Sequence, residues 1–311
     1  MQTEADAVNA GSFFIISPQD AGTTVGRFLR AHGYSARLLS RLKFTENGIT
    51  VNGERAFTSR VLHAGDRLET ELADREADDM PLPLFAPLEI VYEDESLLII
   101  DKPAGMPVHP SRGFYSITLA NAVCFHLLAS GQNQFVFRAP QRLDRDTTGL
   151  ILVAKNQLIG ARLTDMARSR EIRKTYFAVC EGKTPPSGEI DAPIARARAG
   201  NIARCVDFIK GDRALTHFER LSYSGGHSLV RLQLLTGRTH QIRVQLAERG
   251  HPIVGDPWYG RPGKQEGGLK LHAFRLSIPV PGGKRRTFRL LPPWKDPWKA
   301  ELPASLPEPE A

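Results

Sequence analysis

The stretch Gln141-Arg142-Leu143-Asp144-Arg145-Asp146-Thr147-Thr148-Gly149-Leu150-Ile151-Leu152-Val153-Ala154-Lys155 joins a charged segment directly to an apolar run. Leu150–Ala154 has the length and composition of a buried strand, well short of the ~18 apolar residues a membrane helix needs. The preceding residues set Asp144 between Arg142 and Arg145, and nearby positive charge favours the carboxylate anion. Thr147, Thr148 and Gly149 suit a tight loop whose backbone comes close to a ligand. Taken locally, this is a loop that manages an anion, and an exposed cluster of ion pairs in a turn explains it at least as well. Asp144 and Asp146 could in principle hold Mg²⁺, but two arginines within five residues argue against a divalent site. No metal is expected.

Outward from this loop, strands alternate irregularly with helices. Ile90–Tyr92, Leu97–Ile100, Lys174–Cys180, Ala214–Leu221 and Leu229–Leu235 read as strands; Leu119–Leu128, Leu158–Met166 and Thr239–Arg249 read as helices. Such an order predicts an α+β core with a mixed, largely antiparallel sheet and flanking helices. Within it, Thr236-Gly237-Arg238-Thr239-His240-Gln241-Ile242-Arg243 places a sharp turn before a helix, with Thr239 as the expected N-cap. Free N–H groups with Arg238 and Arg243 at one helix start make an anion site, for an RNA backbone or for the Asp144 carboxylate.

Gly22–Leu72 reads as a separate small α/β unit. Thr24 is placed to cap a helix carrying Val25, Phe28 and Leu29, and a second helix follows Ser35. Asn52-Gly53 marks a hairpin turn. The acidic and proline-spaced stretch after Leu72 predicts a linker. The expected organisation is an N-terminal extension (1–19), a small domain (20–72), a linker (73–87), a catalytic core (88–300) and a tail (301–311).

Charge is uneven along the chain. Residues 1–80 hold 9 Lys/Arg against 12 Asp/Glu, leaving 32 against 22 for the remainder. A basic excess of this kind is a footprint for a polyanion, though many soluble proteins are basic without binding nucleic acid. The three cysteines, Cys124, Cys180 and Cys205, have no metal-ligand or disulfide spacing. No secretory signal or membrane span is apparent, so a cytoplasmic protein is expected, with a monomer as the default state.

Glu93–Gly105 with Val108-His109-Pro110 resembles the opening motif of the RluA/RluD-type RNA pseudouridine synthases. Arg142-Leu143-Asp144 through Lys155 resembles their catalytic motif, Lys174-Thr175-Tyr176 the strand of their active-site tyrosine, and Thr236–Arg243 with Gly250–Asp256 their third motif. The order is the family's, from about residue 89 to 276. The resemblance implies that Asp144 is the catalytic aspartate, that Arg142 fills the space of a flipped-out uridine, and that Tyr176 is a catalytic residue that stacks on the uracil and helps to move a proton. It implies further that Arg243 holds Asp144 as an anion beside Ile242 in the base pocket, with Arg238 nearby on the substrate side. Isomerisation needs no redox change, so no cofactor is expected. Gln141, Thr148 and Gln245 stand where the family more often has His, Ser and His.

Gly22–Leu72 resembles the S-four-type (alpha-L) RNA-binding domain. This implies RNA contacts from Arg27, Arg30, Arg37, Arg41 and Lys43, which otherwise read as the solvated faces of two amphipathic helices. By the same resemblance, ribosomal RNA is the expected partner, with transfer RNA the second candidate.

Overall fold

The computed structural model describes residues 11–71, 80–110, 117–132, 135–198, 202–261, 267–280 and 284–295. Residues 1–10, 72–79, 262–266 and 301–311, which include parts of the expected extension and linker and the expected tail, lie outside them. The chain divides into two compact units, residues 1–99 with 120–140 and 152–169, and residues 100–119 with 141–151 and 170–311. This division differs from a sequential small domain, linker and core.

The first unit begins with β1 (Gly11–Ile15), α1 (Val25–Ala31), α2 (Ala36–Phe44), β2 (Ile49–Val51), β3 (Glu54–Arg55) and β4 (Arg67–Glu71). Thr24 and Ser35 cap the two helices, their hydroxyls accepting from the N–H groups of Arg27 (3.4 Å) and Leu38 (3.2 Å). Asn52 and Gly53 both take positive φ (56° and 82°), the geometry of a two-residue hairpin turn. The four strands form a sheet in the order β1-β4-β2-β3. Residues 11–16 are thus part of this unit rather than an extension. Four consecutive apolar residues hid an alternation in which Phe14 and Ile16 face the core while Phe13 and Ile15 are exposed.

Later elements of the same unit are β5 (Glu89–Glu93), the start of β6 (Leu97–Lys102), α3 (Leu119–Ala129), the end of β7 (Thr148–Ala154) and α4 (Gln157–Arg168). Leu158 of α4 completes the apolar core around Val25, Leu29, Leu38 and Leu68. Arg162, one turn on, donates to the His32 carbonyl. Gly33 has a φ of +86°, and any side chain there would meet the Arg162 guanidinium. Glu93 accepts from Lys155 Nζ at 2.8 Å and pairs with His126 Nε2 at 2.9 Å, so β5, α3 and the end of β7 share one carboxylate.

The second unit adds β8 (Arg173–Glu181), β9 (Ser187–Asp191), β10 (Ile194–Arg196), β11 (Arg204–Val206), β12 (Leu215–Ser224), β13 (His227–Leu234), α5 (Gln241–Glu248), β14 (Leu271–Pro279) and β15 (Arg285–Arg289). The large sheet runs β5-β6-β7-β14-β8-β13-β12-β9, with β15 also on β14; β10 and β11 form a separate hairpin. β14 pairs parallel with β7 and antiparallel with β8, which makes the sheet mixed as expected. Its central place was not anticipated.

Ala273 of β14 lies opposite both Gly149 and Tyr176. Gly149 has a φ of +104°, and an added Cβ would lie 2.5 Å from the Ala273 carbonyl oxygen. Only glycine lets the strand after the Asp144 loop approach β14 this closely. Among the described residues no helix is long and apolar enough to cross a membrane.

Candidate active site

Four segments of the second unit converge. Asp144 lies on the loop leading into β7, Tyr176 on β8, Arg243 on α5, and Asp256 after the turn at Gly255. Arg243 is buried and grips Asp256 through Nε–Oδ2 and Nη2–Oδ1 hydrogen bonds, each 2.8 Å, a bidentate fork. Its remaining nitrogen, Nη1, points at Asp144 Oδ2 at 3.4 Å. Burial alone would raise the Asp256 pKa. The Arg243 guanidinium and the N–H groups of Trp258 and Tyr259 outweigh it and hold the carboxyl below the usual range. Burial likewise opposes the Arg243 charge, and Asp256 and then Asp144 restore it.

The arginines flanking Asp144 behave otherwise than the sequence suggests. Arg145 is turned onto Asp146 in a bidentate pair of 2.9 and 3.0 Å. Arg142 is exposed, and its charge acts on His109 and Arg204. The ionic partner of Asp144 is thus ninety-nine residues away in sequence. Tyr176 is buried; burial and then the Asp144 charge push its pKa up, so it stays a phenol at neutral pH.

The start of α5 also departs from expectation. The N-cap is His240 with a left-handed φ of 57°, and Thr239 does not cap. Gln241 ties the turn before the helix to β12: its Oε1 accepts from Arg238 N and Thr236 Oγ1, both at 2.9 Å, while Nε2 donates to Thr216 Oγ1 and the Leu215 carbonyl. Gln245, fully buried, accepts from Thr216 Oγ1 and donates to the carbonyls of Ile190, Ala192 and Ala214. These amides fix the helix that carries Arg243 and the buried Ile242. Arg238 is exposed and bound instead to the Arg213 carbonyl and Asp212, both at 3.2 Å.

Tyr259 is a site residue that the sequence did not single out, and Lys102, His240 and Thr148 take roles it did not assign. Tyr259 lies beneath Arg243, the guanidinium carbon 5.3 Å from the ring centre. Its hydroxyl accepts from Arg204 N at 2.8 Å and meets His240 Nδ1 at 2.7 Å. Burial lowers the His240 pKa and raises that of Tyr259, so the phenol donates to a neutral imidazole. Lys102 Nζ donates to the carbonyls of Pro103 (2.7 Å), Met106 (3.0 Å) and Arg145 (2.8 Å), tying the Asp101–Met106 segment to the loop of Asp144. Thr148, at the end of that loop, meets buried His272 Nδ1 at 2.8 Å.

Residues 96–248, which include Asp144, Tyr176 and Arg243, match the model of the RNA pseudouridylate synthase family. The chain is 39% identical over 236 residues to the uncharacterized RNA pseudouridine synthase YhcT of Bacillus subtilis, an alignment covering 75% of this chain and 77% of that one. The chain belongs to the RNA pseudouridine synthases. Members are isomerases that convert uridine to pseudouridine in RNA, and the resemblance to the RluA/RluD type holds. The ribosomal large subunit pseudouridine synthase D of Zymomonas mobilis is 39% identical over 231 residues, covering 68% of this synthase and 73% of its own length. Among solved structures, human RNA pseudouridylate synthase domain containing 1 superposes with a TM-score of 0.55 at 28% identity, covering 67% of this chain and 84% of its own.

Proposed function

We propose that this synthase isomerises uridine in large-subunit ribosomal RNA, with Asp144 as the nucleophile on a uridine flipped out of its stack. The observation that carries the reading is the single free nitrogen of Arg243 aimed at Asp144, its other two donors being fixed on Asp256. An arginine clamped in this way donates to the carboxylate without burying it, and Asp144 keeps about a fifth of its side chain exposed (21%) for attack.

The bond between uracil N1 and the ribose breaks and one from C5 to the same ribose carbon forms. C5 loses a proton, N1 gains one, and composition is unchanged. Arg142, exposed beside Asp144, takes the place of the extruded base, and Tyr176 packs on the uracil as a neutral phenol. Unstacking a uridine costs a few kcal/mol, which inserted and stacking side chains offset. Ile242 lines the base pocket. Relatives named for the ribosomal large subunit support ribosomal RNA over transfer RNA.

The small N-terminal unit supplies further RNA affinity through Arg27, Arg30 and Lys43, which are exposed, and half-buried Arg41. The side chain of Arg37 lies outside the described residues.

Incubating the protein with large-subunit ribosomal RNA, without metal or nucleotide, yields pseudouridine, and Asp144→Asn abolishes it while RNA still binds. Release of free uracil instead would mark a base-excising glycosylase. Conversion of transfer RNA alone would overturn the substrate.

A further inference from the structure

We propose that the loop Asp207–Gly211 is a base-stacking tip, in which Phe208 and Ile209 pack on unpaired bases of the RNA a few nucleotides from the target uridine. The inference rests on the chain acting on RNA. Phe208 is 76% and Ile209 92% exposed, two neighbouring large apolar side chains held in solvent.

Slackness does not explain their exposure. Asp207 Oδ1 accepts from the N–H groups of Ile209 and Lys210, both at 2.9 Å, and the Asp207 carbonyl accepts from Gly211 N at 2.9 Å. Asp207 N donates to the Pro193 carbonyl at 2.9 Å, and Ile194 and Asp212 exchange two more hydrogen bonds. Gly211 packs so closely on Asp207 and Pro193 that a Cβ would not fit. A tip fastened this firmly loses little conformational freedom when its side chains are covered.

Charge and position favour RNA as the cover. Between residues 194 and 213 stand Arg196, Arg198, Arg204, Lys210 and Arg213 against two acids, Asp207 and Asp212. Asp207 is turned back onto its own loop and Asp212 accepts from Arg238. Apolar side chains among basic ones are the make-up of a single-strand stacking platform.

The tip also grows out of the site. Arg204, on the strand just before it, donates its N–H to Tyr259 beneath Arg243, and its side chain feels the charges of Arg142 and Asp144. Four residues of chain reach at most ~14 Å, about four nucleotides at the 3.4 Å spacing of a stacked strand.

Two measurements on the full chain test this. In Phe208→Trp, indole fluorescence is quenched on titration with oligouridine beyond the change in the unaltered protein, and less by duplex RNA. In the double variant Phe208→Ala/Ile209→Ala, KM on ribosomal RNA rises about 5- to 150-fold, the loss of one stacked base, with kcat within threefold and an unchanged melting midpoint.

An unchanged KM or absent quenching, while the unaltered protein still makes pseudouridine, would overturn the tip and leave the proposed function standing. Quenching by RNA in a protein that converts no uridine would do the reverse. A dimer of the unaltered protein that the double variant dissolves would assign the tip to a second copy and overturn the proposal.

Discussion

Arg243 and Asp256 meet through two parallel 2.8 Å hydrogen bonds, both partners buried, and this pair sets the direction in which the last guanidinium nitrogen faces. Asp144, the proposed nucleophile, is therefore oriented at second hand, by a carboxylate that never touches it.

Asp256→Asn leaves a buried arginine without its main counter-charge. Breaking one side of such a pair costs about 3–5 kcal/mol, so the melting midpoint falls by several degrees and kcat drops with it. A protein of unchanged stability and rate would show that the fork does not position Asp144.

Tyr176 stays protonated at neutral pH, so its ring rather than its hydroxyl is expected to matter. Tyr176→Phe keeps kcat within about tenfold, while Tyr176→Ala loses far more. A fall of 10²–10⁴ in the phenylalanine variant, the usual worth of general acid–base catalysis, would show the hydroxyl moving a proton.

His272 is buried between Thr148 and the Leu290 carbonyl, and burial lowers its pKa to about 4. The folded imidazole stays neutral while the unfolded one takes up a proton below pH 6.5. Its linked stability is complete above pH 6.5 and is lost as pH falls towards 4, about 3 kcal/mol for this shift. Denaturant melts across that window measure the loss, and His272→Gln should flatten it. An equally steep profile in the variant would remove His272 as the cause.

Lys102 offers three N–H groups to three carbonyls, and burial pushes its pKa down to about 8, against the charges of Asp146, Asp144 and Asp101. Deprotonation leaves two donors, so one carbonyl loses its partner and the Asp144 loop loosens. The rate falls as pH rises past about 8, with RNA affinity held constant by measuring at saturation. A flat alkaline limb to pH 9.5 would contradict it.

Local signals carried the helices and the first hairpin: Thr24 and Ser35 cap through contacts three residues away, and Asn52-Gly53 turns within itself. The apolar run 150–154 announced β7 for the same reason. What escaped depends on distant partners. β14 reads as an ordinary alternating segment until β7 and β8 flank it. Asp256 looks like a turn residue after glycine, and nothing nearby says that Arg243, thirteen residues back, is its partner. Arg145 misled because proximity in sequence suggested Asp144, while the turn at Arg145-Asp146 pairs it with Asp146.

The place of β14 bears on how the enzyme is made. Thr148 meets His272 across 124 residues, roughly 6–25 s of translation at ~5–20 residues per second. Throughout that interval the nascent Leu150–Ala154 segment has no β14 beside it, a sticky apolar run waiting for its neighbour. Catalytic competence therefore arrives late in synthesis, when the ribosome has released the strand that joins β7 to β8.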